Sequence, residues 1–329
     1  MASKMANDVK SFRVASFFLQ QRLIIILFLL IVSMFVAGEF VSKGFLTSYG
    51  HICSVLRSAS FLGIVSIGQT IVILTGGFDL SVGPLVTMGN VFTCMLIKGI
   101  DSNTPWALAI IIFLGAMFGF FNGLGVAYLK VPSLVMTLAI GTLVTGITLL
   151  LSRGAPTGLA SPILRYVGVG SLLGLFPVII LIWIMLSAFF VFLLRSTTFG
   201  RKIYYIGANE KAAFLSGVKV NFVKILAFTI SGAGAASTGA LMAGYTHDAF
   251  FGIGDNYILW SIAAVVIGGT SLAGGKGGYV GTIAGAIILV LLESLLTVMR
   301  MPEAGRRIAN GLIILILISI YFMGERRRT

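Results

Sequence analysis

Charged residues are scarce in this sequence. Asp, Glu, Lys and Arg together make up 10% of the 329 residues, whereas 58% are hydrophobic and the mean hydropathy is +1.06. A soluble domain needs more polar surface than this to cover its core, so the composition excludes a soluble globular protein. The apolar runs are continuous rather than alternating, which also excludes a transmembrane β-barrel.

Histidine and cysteine are rare as well, with two of each. His51 and His247 lie far apart, in segments that we expect to be loops, and Cys53 and Cys94 have neither metal-ligand nor disulfide spacing. The sequence contains no H-E-x-x-H, G-x-S-x-G or paired-cysteine motif. Because grouped acids, histidines and an activated nucleophile are missing, we predict no enzyme, no catalytic residue and no metal site.

Long apolar stretches are the main feature that the sequence does have. Runs of eighteen or more mostly apolar residues recur along the chain, and each is long enough to cross a bilayer as a helix. They predict an all-α polytopic membrane protein with about ten transmembrane helices. A count of eight or nine is the alternative, because the eighth span is short and the third is interrupted by Gly and Asn. The predicted spans are Leu23–Ala37, Ala59–Thr75, Leu85–Ile100, Trp106–Tyr128, Leu134–Leu151, Phe176–Leu194, Phe222–Ala243, Ile258–Gly269, Gly278–Met299 and Ile308–Met323.

Positive charge is concentrated in the segments between the spans. The net charge is +13, and most of the 23 Lys and Arg residues fall on the side that holds both termini and the even-numbered loops. This asymmetry predicts that both termini are cytoplasmic, and it explains the charge without a nucleic-acid partner. The predicted organisation is a cytoplasmic or interfacial segment over 1–22, a transmembrane domain over 23–324 with a large polar loop over 195–222, and a basic tail over 325–329.

The longest polar interruption, Gly200–Val220, has the sequence GRKIYYIGANEKAAFLSGVKV. Asn209 suits the cap of a short helix, Glu210 lies where the helix dipole favours a carboxylate, and Gly217 suits the end of that helix. A helix from Glu210 to Ser216 is too short to be stable alone in water, so it needs a partner surface. The spacing leaves open a docking element for another protein and an ordinary cytoplasmic loop with a helical turn.

Two glycine-rich segments interrupt the apolar pattern and are candidates for helix breaks or gates. In the first, Gly76 and Gly77 end one helix and Asp79 or Ser81 caps the next. A carboxylate buried in the membrane would be expensive and therefore functional, whereas capping at the membrane edge is the simpler interpretation.

The second glycine-rich segment, Gly268–Gly278, begins with Gly268 and Gly269. It differs from the phosphate-binding pattern G-x-x-x-x-G-K-[ST] at Thr270 and Gly277, so we expect no ATPase site and no nucleotide cofactor in this chain. The two breaks lie at comparable places in the two halves of the chain, which is typical of an inverted repeat, here of five plus five spans.

Polar side chains also occur within the apolar spans, at Gln69, Asn90, Asn122 and Glu293. Each should face a cavity or a neighbouring helix, so Gln69, Asn90 and Asn122 are candidates for a translocation path as well as for contacts between helices. Glycines spaced four apart in the fourth and ninth spans predict close helix packing.

Four segments carry a resemblance to a known family. The sequence resembles the permease subunits of bacterial ATP-binding-cassette (ABC) sugar importers of the ribose, xylose and arabinose type, over roughly residues 20–325. The matching segments are GGFDLSVG at Gly76–Gly83, NGLGVAYLKVPSLVMTLAIG at Asn122–Gly141, TTFGRKIYYIGANEKAAFLSGV at Thr197–Val218 and IAAVVIGGTSLAGGKGGYVGT at Ile262–Thr282.

The resemblance implies a location in the bacterial cytoplasmic (inner) membrane and several partners. These are a second permease, either identical or related, an ATPase subunit that holds ATP and Mg, and a periplasmic or lipid-anchored sugar-binding protein. It also implies that the polar loop docks on the ATPase, because Glu210, Ala212, Ala213 and Gly217 match an E-A-A…G pattern with one additional residue after Glu. The candidate coupling residues are Arg201, Lys202, Gly207, Asn209, Glu210, Ala212, Ala213 and Gly217.

The alternative function is a self-sufficient secondary transporter driven by H⁺ or Na⁺. Such a transporter needs ionisable side chains at mid-membrane, and only Glu293 and Asp79 qualify. Within the ATP-driven class, a nucleoside, an autoinducer-type furanose, inositol or a branched-chain amino acid are substrates that compete with a monosaccharide.

Overall fold

A computed structural model describes Arg22, residues 24–312 and Leu315 of the chain. The predicted N-terminal segment apart from Arg22, most of the last predicted span and the basic tail over 325–329 lie outside the described residues. The helices are α1 (Ile24–Val41), α2 (Tyr49–Leu74), α3 (Val82–Ile97), α4 (Thr104–Ala127), α5 (Ser133–Leu151), α6 (Pro162–Val169), α7 (Val178–Ser196), α8 (Thr198–Ala208), α9 (Glu210–Leu215), α10 (Val220–Thr246), α11 (Asp255–Ile267), α12 (Tyr279–Val298) and α13 (303–312).

A short 3₁₀ helix, Asp101–Asn103, leads into α4, and strands β1 (Ser171–Leu172) and β2 (Phe176–Pro177) form an antiparallel hairpin before α7. Within the described residues, seven helices are long and apolar enough to cross a membrane, namely α1, α2, α4 with its 3₁₀ turn, α5, α7, α10 and α12. The shorter apolar helices α3 and α11 complete the bundle. The chain is therefore a polytopic all-α membrane protein.

Helix α10 lies at the centre of the bundle, against α2, α3 and α4. The glycines at 115, 119 and 123 of α4 face the backbone of α10, and a methyl group at Gly119 would overlap the carbonyl of Phe228. On α12, Gly285 approaches the backbone of Ala264 in α11 equally closely. The close packing predicted from glycines four residues apart is confirmed in both places.

Several predicted boundaries and one predicted loop are wrong. Helix α2 begins at Tyr49, ten residues before the predicted second span, because Ser48 caps it by accepting a hydrogen bond from the amide of His51 at 3.4 Å. His51 therefore lies in the first turn of a helix rather than in a loop. Helix α1 also continues past its predicted end to Val41. Hydropathy misses these turns because charged and polar side chains, among them Glu39, His51 and Arg57, interrupt their apolar residues.

Candidate functional site

The polar segment between α7 and α10 folds into two short helices, α8 and α9. Asn209 separates them in an extended conformation, and its side-chain oxygen accepts a hydrogen bond from the amide of Ala212 at 3.0 Å. Gly217 follows α9 with a φ of +81°, a conformation that favours glycine, while its amide donates to the carbonyl of Phe214 at 3.0 Å. The predicted short helix and both of its caps are confirmed, with its end one residue earlier than expected.

Helix α9 turns one face inward and leaves apolar side chains exposed on the other. Ala213 is only 4% exposed and packs into the bundle, whereas Phe214 is 69% exposed and Leu215 is 84% exposed. Glu210 forms an ion pair with Lys224 at the start of α10, with 2.7 Å between Nζ and Oε2. This ion pair holds α9 against α10, so Phe214 and Leu215 project from a fixed support. Exposed apolar side chains in a polar segment are typical of a protein-binding surface.

Helix α8 supports α9 and carries the predicted basic residues. Thr197 caps it by accepting from the amide of Gly200 at 3.2 Å, and Ile203 and Ile206 are buried beneath it. Arg201 and Lys202 are exposed, as is Lys211 on α9, and none of the three forms an ion pair within the described residues. These cations are therefore available to a partner surface.

Gly207 brings α8 into direct contact with two other parts of the bundle, and we call this contact the α8 junction. A methyl group at Gly207 would overlap both the carbonyl oxygen of Leu74, the last residue of α2, and the amide of Gly275. The amide of Gly275 donates to the same Leu74 oxygen at 3.0 Å. Nearby, the Tyr204 hydroxyl donates to the carbonyl of Gly277 at 3.0 Å. Helix α8 thus joins the end of α2 to the loop between α11 and α12.

The Tyr204 hydroxyl of this contact is protonated. Desolvation raises the pKa of Tyr204, although the positive charge of Arg195 opposes the rise. The phenol therefore remains a hydrogen-bond donor throughout the physiological pH range.

The loop between α11 and α12 is the second glycine-rich break. Gly268 follows α11 and lies so close to the backbone of Gly281 that a methyl group would overlap it. Gly269 then turns the chain with a φ of +80°, and the hydroxyl oxygen of Thr270 accepts from the amide of Gly278 at 3.1 Å. These contacts fold the loop onto its own helices and onto α8.

The first glycine-rich break connects α2 to α3 and encloses Asp79. Gly76 has a φ of +83°, and Gly77 packs beneath α10, so the chain turns inward after α2. Asp79 and Ser81 are wholly buried, and one carboxylate oxygen accepts from the Ser81 amide at 3.0 Å and from its hydroxyl at 2.6 Å. The Ser81 hydroxyl in turn accepts from the side-chain amide of Asn122 on α4 at 2.9 Å.

This arrangement corrects the predicted cap. The Ser81 side chain makes no capping bond to α3, and Asp79 bonds the residue that precedes the helix rather than the helix itself. The carboxylate belongs to a buried polar cluster that ties the break to α4.

Replacing Asp79 tests how much this cluster contributes to stability. Asp79→Ala leaves the Ser81 amide and hydroxyl without their acceptor, and each buried group left unsatisfied costs about 1–3 kcal/mol. Asp79→Asn keeps a side-chain oxygen in place and should cost less. We expect the thermal midpoint in detergent to fall clearly for Asp79→Ala and only slightly for Asp79→Asn. Equal midpoints for Asp79→Ala and the wild type would contradict this interpretation.

The three candidates for a translocation path are all wholly buried between helices. Asn90 on α3 accepts a hydrogen bond from the amide of Phe250 at 2.7 Å, and Asn122 bonds Ser81 as described above. The side-chain amide of Gln69 on α2 has no hydrogen-bond partner in the described part of the chain. None of the three lines either of the two cavities that open between α2, α11, α12 and α13.

The two cavities lie at the end of the bundle opposite the α8 junction. The first, about 460 Å³, lies between α2, α11 and α12, and its walls include Ser58, Trp260 and Glu293. The second, about 450 Å³, shares Trp260 and Glu293 and extends to α13. Ser58 lies roughly 24 Å along the α2 axis from Leu74, at the rise of an α-helix.

Glu293 is fixed by two groups on α13. One carboxylate oxygen accepts from the side-chain amide of Asn310 at 2.8 Å, and the other lies 3.6 Å from the guanidinium of Arg306. Trp260, which shares the cavity wall with Glu293, was not singled out from the sequence. Within an apolar span, no sequence signal distinguishes an aromatic side chain facing a cavity from one facing lipid.

Comparison with known proteins identifies the family. Residues 51–319 match the family model described as branched-chain amino acid transport system / permease component. The ribose import permease protein RbsC of Haemophilus influenzae is 35% identical over 322 residues, which cover 95% of this chain and 96% of that protein. RbsC of Bacillus subtilis is 36% identical, with 82% and 83% coverage. The autoinducer 2 import system permease protein LsrC of Shigella flexneri is 34% identical, with 92% and 87% coverage.

No solved structure matches the chain. The family match and the relatives nevertheless extend over most of its length, and they agree with the apolar helices and the polar segment described above. The chain therefore belongs to the family of transport-system permease components that this model describes.

Proposed function

We propose that this permease is the transmembrane subunit of an ABC importer and that it forms the path for a monosaccharide or a related small polar solute. The observation that carries the proposal is α9, a capped helix with exposed apolar side chains that is joined through α8 to the ends of the membrane helices. Two of the relatives are ribose import permease proteins, which favours a sugar. The paired state of Glu293 speaks against the ion-coupled alternative, because its charge is already balanced by Arg306.

The proposed topology has ten spans, formed by α1 to α5, α7 and α10 to α13, within a transmembrane domain over 23–324. The segment over 1–22 and the tail over 325–329 lie in the cytoplasm in this arrangement. Helices α8 and α9 then also lie in the cytoplasm, where their exposed Lys and Arg residues follow the positive-inside rule. The protein is a multi-pass component of the bacterial inner membrane.

The ten spans fall into two halves of five, related as an inverted repeat. The packing supports this, because α10 contacts α3 and α4 of the first half and α2 contacts α11 and α12 of the second. The second and seventh spans thus take equivalent places at the centre. This arrangement pairs the break over 75–81 with the segment over 247–254, rather than with the second glycine-rich break.

In this mechanism, the conformational change of the ATPase reaches the permease through α9. An ATPase subunit, which holds ATP and Mg, contacts Phe214, Leu215 and the exposed cations beside them. When the ATPase closes, α9 moves with it, and α8 passes the displacement to α2 and to the loop between α11 and α12. The bundle then exchanges between outward-open and inward-open states, and each ligand shifts that equilibrium only through its different affinity for the two states. A second permease and a periplasmic or lipid-anchored sugar-binding protein complete the complex.

Co-purification from the native membrane tests the proposal. We expect an ATPase subunit to purify with the wild-type chain and to be lost from a Glu210→Arg, Gly217→Trp double variant. The arginine places a second cation beside Lys224, and the tryptophan is strained at a positive φ, so both changes displace α9. An ATPase retained by the folded double variant would contradict the assignment of α9. A second permease in the wild-type sample would distinguish a heterodimer from a homodimer.

A further inference from the structure

The cavity between α2, α11 and α12 combines three kinds of side chain. Trp260 and Tyr257 on α11 give it aromatic surface, Ser54 and Ser58 line the α2 wall, and Glu293 on α12 contributes a carboxylate. Its volume of about 460 Å³ lies within the usual range for small-molecule sites. The cavity is therefore large enough for one small ligand and is bounded by both apolar and hydrogen-bonding groups.

Several polar groups of this cavity have no partner within the described residues. The Trp260 indole N–H, the Tyr257 hydroxyl and the Ser58 hydroxyl form no hydrogen bond there. On the same helix, the Ser60 hydroxyl donates to the carbonyl four residues earlier at 2.7 Å. The Ser58 hydroxyl makes no such bond to its own helix. Donors and acceptors that are not used inside the protein are available to a ligand.

Glu293, the acidic side chain in the wall of this cavity, is already paired, whereas Asp255 in the neighbouring cavity forms no ion pair within the described residues. Glu293 is paired with Arg306 and bonded by Asn310, and in the neighbouring cavity Arg307 pairs with Glu303 at 2.7 Å. Both ring nitrogens of His51 are engaged as well. Within its own walls the site therefore offers no unpaired cation to an anionic solute, which argues against phosphates and organic acids, and no free carboxylate to an amine.

A neutral sugar ring satisfies these conditions better than the other solutes considered. Its C–H face packs on an aromatic ring, and its hydroxyls both donate and accept, as the free indole, phenol and serine groups require. A branched-chain amino acid would bring a carboxylate and an ammonium group that find no unpaired counter-charge among the described cavity residues.

We propose that the cavity between α2, α11 and α12 binds a single neutral sugar ring, with Trp260 as its stacking surface. This inference rests on the proposed function and specifies the chemistry of its substrate. The same three elements meet the α8 junction at their other ends, through Leu74 and the loop over 268–278. A displacement of α8 therefore acts directly on the walls of the sugar site.

Transport by variants at Trp260 tests the assignment. The complete complex, with its ATPase and binding protein, is reconstituted in vesicles and supplied with labelled D-ribose below saturation. We expect Trp260→Ala to lower ATP-driven uptake by about tenfold or more and Trp260→Phe to retain most of it, because an aromatic ring remains. Trp106→Ala is the control, since this exposed tryptophan lies on α4 away from the cavity, and its uptake should equal that of the wild type.

A protection measurement tests, independently of uptake, whether the sugar occupies the cavity. Cys53 is replaced by serine and Ser54→Cys is introduced at the cavity, while Cys94 remains because it is buried. Millimolar D-ribose should slow modification of the new cysteine by a membrane-impermeant thiol reagent, and L-leucine should not. Equal labelling with and without ribose, or wild-type uptake by Trp260→Ala, would overturn the cavity assignment. If the wild-type complex moves no sugar at all, the proposed function fails instead.

Discussion

Replacing Phe214 and Leu215 together by serine is expected to release the ATPase subunit from the permease. Both side chains are largely exposed on α9, at 69% and 84%, so their removal should leave the fold of the permease intact. Burying a Phe and a Leu at an interface contributes about 1.5–3 kcal/mol each, so affinity for the ATPase should fall by at least a hundredfold or so. The measurement is recovery of the ATPase with the purified permease, together with ATP-driven uptake.

Phe250→Ser is the matched control for this pair. Phe250 has a similar exposure, 64%, but follows α10 at the opposite end of the bundle. We expect it to retain the ATPase fully. If the Phe214, Leu215 double variant also retained the ATPase at wild-type affinity, docking would have to occur on another surface.

Gly207→Ala is expected to weaken the link between α8 and the membrane helices while leaving the ATPase bound. The added methyl group overlaps the backbone of Leu74 and of Gly275, and backbone atoms cannot move aside as a flexible side chain can. Overpacking of this kind costs about 1–3 kcal/mol and forces α8 away from α2. If that cost falls on the transporting state, ATP-driven uptake should decrease by about five- to 150-fold, while ATP hydrolysis continues.

Gly146→Ala provides the comparison. Gly146 lies in α5, and a methyl group built there has no neighbour within 4 Å, so the variant should transport and unfold like the wild type. Uptake by Gly207→Ala equal to that of Gly146→Ala would show that the α8 junction does not transmit the motion.

The sequence predicted the helical membrane fold because composition and hydropathy depend on the bilayer rather than on tertiary contacts. It placed most described spans within a few residues of the observed helices. It failed where a helix extends beyond the apolar run, as in α2, whose first turns include His51 and Arg57. It also missed α6 and α8, since a short helix between spans has no hydropathy signal.

Helix α9 was predictable for a local reason, whereas the cavity was not. Asn209 and Gly217 specify the two ends of α9 through their own backbone and side-chain chemistry, so a single stretch of sequence contained the answer. The cavity depends instead on α2, α11 and α12 meeting in space, and neither Trp260 nor Ser58 has a sequence pattern that indicates this. The same reason explains Asn90 and Asn122, whose partners lie on other elements.

ATP-driven uptake by a reconstituted complex tests the central claim most directly. The purified chain is placed in vesicles with its co-purifying ATPase and binding protein, and uptake of labelled D-ribose is followed with ATP supplied, and again without ATP but with an H⁺ or Na⁺ gradient. Our account predicts uptake with ATP and none with the gradient alone. Uptake by the chain by itself, driven by an ion gradient in the absence of ATP, would contradict it.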